Sequence, residues 1–193
     1  SGDASEQILP IFWGEGATGK STLLDIVKHV MGDYAGDAAD TLLTVSMQRE
    51  HPTELADLQG KRLVVASETE VNSRLRVQLV KKLTGEGTVK ARKMHGNFFE
   101  FPRTHKMVLQ TNNKPVIREQ TVAVWRRIKL VPFTVIIPEP ERDAHLIEKL
   151  KAEASGILTF LVLGCMEWQR EGLAPPAEVE EATRHYREDS DPL

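Results

Sequence analysis

The sequence contains a single cysteine, Cys165, which lies in the apolar run of residues 157–166. A lone cysteine cannot form an internal disulfide, and no other Cys or His stands near it at metal-ligand spacing. These absences exclude a disulfide-stabilised scaffold and a cysteine-based metal site. We therefore expect Cys165 to be a buried, unreactive thiol in an intracellular protein.

The chain also lacks an apolar stretch of the roughly 18 residues that a membrane crossing needs. It shows no secretory signal layout, no internal repeat and no low-complexity segment. Its 193 residues are 40% hydrophobic and 27% charged, which is ordinary for one globular domain with or without an appendage. Since the chain does not begin with Met, we expect a domain excised from a longer protein, with residues 1–7 as a tag remnant or linker.

Acidic residues are scarce in one part of the chain and abundant in another. Residues 74–106 contain nine basic and two acidic residues, a net charge of +7, whereas residues 139–193 contain 6 basic and 13 acidic residues, a net charge of −7. The whole chain carries −3, which taken alone argues against a nucleic-acid partner. Segregated charge can nevertheless form a local anion-binding surface on a nearly neutral protein.

Apolar periodicity predicts strands that alternate with helices. Short β-branched runs predict strands at residues 8–13, 62–66, 106–111 and 128–137, with Pro132 marking an edge or a bulge. Helical spacing predicts helices at residues 20–31, 53–58, 74–83 (with Ser73 as N-cap), 119–125, 143–152, 156–169 and 177–186. Residues 88–92 and 97–101 flank His95-Gly96 and predict a β-hairpin. The alternation indicates an α/β fold with a mainly parallel sheet, an inserted hairpin and a helical C-terminal end.

The segment Gly14-Glu15-Gly16-Ala17-Thr18-Gly19-Lys20-Ser21 fits the P-loop pattern, between a predicted strand and a predicted helix. Glycines allow several backbone N–H groups to point at phosphate oxygens, and the helix N-terminus adds partial positive charge. We expect Lys20 to reach the β- and γ-phosphates of ATP and the Ser21 hydroxyl to coordinate Mg²⁺. Residues 14–22, with Thr22 as the last, are the predicted nucleotide site. The alternative is a glycine-rich turn with a chance lysine.

An ATPase also needs an acidic group at the end of a neighbouring strand. Glu68 follows the apolar run that begins at Leu63, where its carboxylate can polarise the attacking water. Glu70 would face the same way if the strand continues, and both glutamates are candidate metal contacts. The alternative is that both are solvated loop residues. Many P-loop ATPases carry Asp-Glu here, and Ser67 stands in the place of the Asp.

Two further pairs of residues have a functional and an ordinary interpretation. Asn112 or Asn113 follows the third core strand and can sense the γ-phosphate, although Asn-Asn-Lys-Pro is also a simple turn. Arg126 and Arg127 are either solvated surface residues or include an arginine that enters the site of a neighbouring subunit. The residues alone leave both choices open.

The basic segment suits the tracking of a phosphate backbone, with Lys90, Arg92 and Lys93 near a Gly-containing turn. His95 adds a contact that strengthens on protonation. No stacking platform is evident, since at least two of the three hairpin phenylalanines are expected in the core. This pattern favours backbone contacts with little sequence specificity over base readout. The ordinary interpretation is a solvated basic face.

The residues are similar in type and order to the superfamily-three helicases, specifically the primase-helicases of phages, plasmids and poxviruses. The matching pieces are Phe12-x-Gly14-x-Gly16-x-x-Gly19-Lys20-Ser21-Thr22, Gly32-Asp33-Tyr34-Ala35, residues 63–70, Lys82-Leu83-Thr84-Gly85, Ala91-Arg92, Phe99-Glu100-Phe101, Gln110-Thr111-Asn112-x-x-Pro115, Trp125-Arg126-Arg127-Ile128-x-x-x-Pro132-Phe133, and Ala182-Thr183-x-x-Tyr186-Arg187 with Asp191. Apart from the P-loop each piece is weak alone, but the ordered set is specific.

The resemblance implies an AAA+ type ATPase core at residues 8–138, with a DNA-binding hairpin at about 86–101. Residues 139–193 would form a helical part that leads to a downstream winged-helix domain, and a primase domain would lie upstream. Lys20 and Ser21 would hold ATP and Mg²⁺, Glu68 would be the catalytic carboxylate and Asn112 the sensor. Arg126 or Arg127 would be the arginine finger of a homo-oligomeric ring, a hexamer. Lys93, Met94, His95 and Gly96 would lie at or near the tip of the hairpin, which contacts single-stranded DNA.

The chain departs from the family at two places. Thr18 replaces the usual Asn before Gly-Lys, and Ser67 replaces the common acid. The resemblance favours an ATP-hydrolysing replicative DNA helicase in the cytoplasm, or in the host cytoplasm if a phage encodes it. One alternative is a nucleotide-gated module that loads onto DNA without processive unwinding. Another is a P-loop kinase acting on a small acceptor, which would need an acceptor pocket rather than a trans-acting arginine.

Overall fold

A computed structural model describes residues 1–39, 42–45, 53–68, 70–85 and 87–191 of the chain. The strands are β1 (Leu9–Trp13), β2 (Ala35–Asp37), β3 (Leu63–Glu68), β4 (Thr88–Arg92), β5 (Phe98–Pro102), β6 (Lys106–Thr111) and β7 (Ile128–Pro132). The helices are α1 (Lys20–Met31), α2 (Val77–Thr84), α3 (Val122–Trp125), α4 (Leu146–Ala152), α5 (Ala154–Glu171) and α6 (Ala177–Asp189). Short 3₁₀ turns occupy Gly32–Tyr34, Ala56–Leu58 and Glu139–Glu141.

Five strands form one parallel sheet in the order β2-β3-β6-β1-β7. Trp13 at the end of β1 and Glu68 at the end of β3 both pair in register with Thr111 at the end of β6. The carboxyl ends of three neighbouring strands therefore meet at one edge of the sheet, where α/β proteins usually bind their ligands. The predicted α/β class and the mainly parallel sheet are confirmed.

The core lies on both faces of this sheet, which explains why its central strands are continuously apolar. Met107, Val108 and Leu109 are consecutive in β6 and all buried. On one face α1 places Leu24 against Val65 and Val108. On the other face a larger apolar cluster extends to the hairpin and to α6.

Strands β4 and β5 pair antiparallel as a separate two-stranded hairpin. Its inward side chains include Val89, Ala91 and Phe101, which are buried in the main core. At the tip the Gly96 N–H donates to the Lys93 carbonyl over 2.9 Å, and His95 takes a left-handed φ of 58°. The predicted hairpin range begins at Glu86, which lies outside the described residues.

Several predicted boundaries are wrong at the start of an element. The helix predicted from residue 74 begins at Val77, because the backbone of Arg74 and Leu75 pairs with residues 116 and 44 instead. Ser73 therefore does not cap the helix, and its buried hydroxyl has no hydrogen-bond partner in the described structure. The helix predicted from residue 119 begins only at Val122.

Other predicted elements are shorter or longer than expected. Residues 56–58 form a 3₁₀ turn instead of a helix from residue 53, and the preceding Pro52 lies outside the described residues. The strand predicted for residues 128–137 stops at Pro132, at the edge of the sheet as the proline implied. The helix that was expected to end at Tyr186 continues to Asp189.

The C-terminal part packs back on the sheet through α6. The Thr183 hydroxyl accepts a hydrogen bond from the Leu130 backbone N–H over 2.9 Å, and the rings of Tyr186 and Trp125 meet edge to face at 5.3 Å. By contrast α5 contains no buried residue, and Cys165 is only half-buried, so the predicted buried thiol is wrong. None of the helices in the described ranges has both the length and the apolar character that a membrane crossing requires. The domain division at residue 138 stays a prediction.

Candidate functional site

The loop between β1 and α1 turns sharply at the carboxyl edge of the sheet. Gly19 has φ of 85° and Ala17 has φ of 60°, so both lie in the left-handed region that brings successive N–H groups round to one side. Helix α1 then begins at Lys20 with no side chain capping it. Its first N–H groups therefore face the loop and form a site of positive potential for an anion.

The Lys20 side chain is buried inside this loop, with 4% of its surface exposed. Its ammonium group donates to the carbonyls of Gly14 and Glu15, each over 2.7 Å, and to the Thr18 hydroxyl over 3.2 Å. Burial lowers the pKa of Lys20 from its ordinary value. The cation is thus held by oxygens of its own loop, in a place where phosphate oxygens can replace them.

The opposite wall of the site is built by the ends of β3 and β6. Glu68 is buried at the end of β3, and one of its carboxylate oxygens accepts a hydrogen bond from the Glu70 N–H over 2.7 Å. On β6, the Gln110 amide donates to the Ser21 hydroxyl over 2.7 Å. The loop and the two strand ends enclose a cavity of about 270 Å³.

This cavity collects most of the predicted nucleotide-site residues. Its lining includes Gly16, Ala17, Thr18, Gly19, Lys20, Ser21, Thr22, Ser67, Glu68, Gln110, Thr111 and Asn112. The sequence left open whether Asn112 or Asn113 is the candidate sensor. Asn112 lines the cavity and Asn113 does not, so Asn112 is the better candidate. Glu70 is exposed and lies beyond β3, so the condition on which its role rested, a continuing strand, is not met.

Gln110 is a site residue that the sequence analysis did not select. It is a polar residue directly after the apolar centre of β6, residues 107–109, which was a usable signal. Its contact with Ser21, however, depends on the register of β6 beside β1 and β3, and this register is not visible in local sequence.

The donor set fits Mg²⁺ only in combination with phosphate. The described residues contain no cluster of three His, Cys, Asp or Glu side chains that could hold a metal on their own. Mg²⁺ is commonly held by one or two carboxylates, substrate phosphates and water. The Ser21 hydroxyl and the Glu68 carboxylate line the same cavity and supply hard oxygen donors for such a site.

Arg126 and Arg127 lie at the amino ends of the strands, on the side of the sheet opposite to the cavity. Arg126 and Arg127 precede β7, whose first residue pairs with Leu9 at the start of β1. Five residues of strand separate them from the loop, about 16 Å. Arg126 is exposed and donates to the Gln7 amide oxygen over 2.8 Å, whereas Arg127 is buried and donates to the Ala123 carbonyl over 2.5 Å.

The predicted DNA-contacting residues are all exposed on the hairpin, away from the cavity. They are Lys90, Arg92, Lys93, Met94 and His95. Three residues join β5 to the amino end of β6, and the Arg103 N–H donates to the Gly87 carbonyl at the hairpin base over 3.1 Å. The hairpin base therefore lies at the end of β6 opposite to the cavity, about 20 Å away along the strand.

Comparison with known proteins places this α/β protein in a family. A family model described as "Family of unknown function (DUF5906)" matches residues 12–127. The chain belongs to this family.

Two curated relatives of the chain are viral proteins. The chain is 29% identical, over 99% of its length and 22% of the relative's, to "Putative helicase L207/L206" of Acanthamoeba polyphaga mimivirus. It is 30% identical, over 73% of its length and 18% of the relative's, to "Primase D5" of Fowlpox virus. The chain thus spans about a fifth of the length of the curated relatives it matches. The expected likeness to viral helicases and primases is confirmed.

Solved structures share the fold. "The apo structure of NrS-1 C terminal region (305-718)" matches with a TM-score of 0.73 at 16% identity, over 97% of this chain and 44% of that one. "The A form apo structure of NrS-1 C terminal region-CTR" matches with a TM-score of 0.69 at 14% identity, over 96% and 43%. Because the sequence identity is this low, these matches are evidence for the shared fold alone.

Proposed function

We propose that the chain is the ATP-hydrolysing domain of a replicative DNA helicase, with an AAA+ type core that couples hydrolysis to movement on single-stranded DNA. The observation that carries the proposal is the cavity in which Lys20 and Ser21 of the loop face Glu68 across the carboxyl edge of the sheet. The names of the viral relatives, helicase and primase, support the same class. In the longer protein, a primase domain would lie upstream and a winged-helix domain downstream.

Five side chains of the cavity have a defined task in this proposal. Lys20 exchanges its loop carbonyls for the β- and γ-phosphates of ATP, and the loop N–H groups hold the phosphate oxygens. Ser21, kept in place by Gln110, and Glu68 would supply oxygen ligands to Mg²⁺, and the bound metal would neutralise part of the phosphate charge. Glu68 also orients the attacking water, and Asn112 contacts the γ-phosphate.

The position of the arginines supports a ring of subunits. Arg126 and Arg127 are about 16 Å from the loop of their own chain, so neither reaches the γ-phosphate in cis. If either of these two arginines acts on phosphate, it must therefore come from a neighbour, and head-to-tail contacts of this kind close into a ring when their rotation closes. Of the two, Arg126 is the better finger because it is exposed, while Arg127 is committed to a backbone carbonyl. We take the ring to be a hexamer.

Steady-state ATP hydrolysis with Mg²⁺, measured across a protein-concentration series with and without single-stranded DNA, tests the proposal. We expect a rate that rises more steeply than protein concentration and that DNA stimulates, and a Lys20→Ala variant without turnover. A strand-displacement assay then separates a motor from a nucleotide-gated loader, which would hydrolyse ATP without separating strands. Hydrolysis that is linear in protein and indifferent to DNA would contradict the helicase proposal.

A further inference from the structure

The outer face of the hairpin carries an aromatic ring between two cations. Along β4 the side chains alternate, so that Lys90 and Arg92 face outward while Val89 and Ala91 are buried. On β5, Phe98 pairs in register with Arg92 and faces the same way. We propose that Phe98 is a stacking platform for an unpaired base, and that Lys90 and Arg92 bind the phosphates beside that base.

The exposure of Phe98 distinguishes it from its aromatic neighbours. Phe98 is 56% exposed, whereas Phe101 is 3% exposed and Phe99 packs against the core, its ring 5.8 Å from that of Phe101. Two of the three phenylalanines are thus in or against the core, as expected from the sequence. The third, Phe98, leaves a large apolar surface in water, and our proposal replaces the expectation that the hairpin lacks a stacking platform.

The two cations are arranged around this ring. The Lys90 ammonium lies 5.4 Å and the Arg92 guanidinium 5.6 Å from the ring centroid of Phe98. Arg92 is held in place because its Nε donates to the Gly96 carbonyl over 2.9 Å. Cations at this distance attract the π face and restrict the ring, yet more than half of the Phe98 surface remains open.

Single-stranded nucleic acid matches this surface better than a duplex. Proteins that hold single strands combine a positive groove for the backbone with aromatic side chains on which bases stack. A paired base presents only its edge, so the platform requires an unstacked base. This inference rests on the proposed DNA-binding function and adds base contact to it.

The test is fluorescence anisotropy with a labelled oligo(dT) strand and an abasic strand of equal length. We expect Phe98→Ala to weaken binding of oligo(dT) about tenfold and binding of the abasic strand less than about twofold. Phe98→Trp should retain the affinity and Phe98→Leu should lose it, because leucine keeps apolar bulk without a π face. Lys90→Ala should weaken both strands and lower the slope of log affinity against log salt by about 0.7.

The matched control is Tyr34→Ala. Tyr34 is also an exposed aromatic residue, 59% exposed, with the Arg62 guanidinium 5.7 Å from its ring, but it lies outside the hairpin. It should leave both affinities unchanged, and thermal unfolding midpoints should be alike for all variants. If the wild-type protein binds neither strand, the proposed function fails. If it binds, and Phe98→Ala changes nothing or weakens both strands equally, the stacking platform is wrong.

Discussion

Gly14 is the residue at which the glycine-rich loop leaves β1, and its missing side chain makes room for the backbone just past β7. A Cβ atom added there would lie 2.1 Å from the Phe133 carbonyl oxygen, and this oxygen belongs to backbone that cannot swing away. The Phe133 N–H donates to the Trp13 carbonyl over 2.7 Å, so the close approach is part of the β1–β7 pairing. A side chain at residue 14 must therefore separate the two strands where the loop begins.

We expect Gly14→Ala to lower the free energy of unfolding by about 1–3 kcal/mol, as overpacking usually does. Urea titration followed by circular dichroism measures this change. Gly16→Ala is the control, because a Cβ atom at Gly16 meets nothing within 4 Å. Equal effects of the two substitutions would show that loop entropy, rather than the contact with Phe133, determines the outcome.

His105 is a buried base whose protonation opposes folding. It is fully buried just before β6, and neither ring nitrogen has a hydrogen-bond partner in the described part of the chain. Burial, with a smaller contribution from the charge of Arg103, lowers the pKa of His105 from 6.5 to about 4. The unfolded chain therefore binds a proton between these two pH values while the folded chain does not.

The protein should accordingly lose stability as pH falls from above 6.5 towards 4. From the two pKa values, His105 should account for a loss of about 2 kcal/mol between pH 8 and pH 5. Urea midpoints measured against pH in wild type and His105→Leu test this, because the variant should lack that part of the slope. His29→Gln is the control at an exposed histidine, and a slope that persists in His105→Leu would contradict the assignment.

At the scale of elements, the hairpin lies at the amino end of β6 and the cavity beside the glycine-rich loop lies at its carboxyl end. Lys93 is exposed beside the hairpin tip, about 20 Å or more from the cavity. We expect Lys93→Ala to lower the stimulation of ATP hydrolysis by single-stranded DNA several-fold, because a lost phosphate contact weakens DNA binding. The measurement is the ratio of hydrolysis rates with and without DNA.

Lys82→Ala provides a control within the same basic segment, since Lys82 is exposed on α2 rather than on the hairpin. It should keep the wild-type ratio. A Lys93→Ala variant that loses the same proportion of its rate with and without DNA would remove the hairpin from the DNA-binding surface.

Elements with strong local signals were predictable from the sequence. Both α1 and β6 have the predicted bounds. In α1 a run of helical periodicity is stopped by a glycine, and in β6 a short apolar run favours a strand, so the local sequence determines each element. Failures occurred where distant backbone pairs decide the structure. Arg74 and Leu75 leave the predicted helix because residues 116 and 44 pair with them, which no local pattern indicates.

The residues of the candidate site also differ in whether local sequence could predict them. The predicted nucleotide-site residues 14–22 are contiguous, so the sequence could select them together, and residues 16–22 line the cavity. Glu68, which also lines it, could be selected from its place at the end of an apolar strand. The Gln110–Ser21 contact depends on strand register, and the choice between Arg126 and Arg127 depends on burial. The exposure of Phe98 likewise depends on which face of β5 meets the core.

At the scale of the whole molecule, the proposed function assigns complementary parts of one reaction to the two ends of the parallel strands. The carboxyl edge of the sheet holds the glycine-rich loop and Glu68, and the amino edge holds Arg126. Because the sheet itself separates them, the proposed site would be complete only with the amino edge of one molecule beside the carboxyl edge of another. This arrangement predicts that two variants with different defects can restore activity to each other.

We expect Lys20→Ala and Arg126→Ala each to lower hydrolysis about 10³-fold or more when assayed alone. In a ring formed from an equal mixture, about a quarter of the junctions join an intact Lys20 to an intact Arg126 of the neighbour. The mixture should therefore recover about a quarter of the wild-type rate, measured by phosphate release at a concentration that supports assembly. Arg118→Ala, at another exposed arginine, should stay near the wild-type rate by itself. A mixture with no recovery, from variants that still assemble, would mean that Arg126 does not act across the subunit boundary, and the distance of about 16 Å along β7 would then exclude it from catalysis altogether.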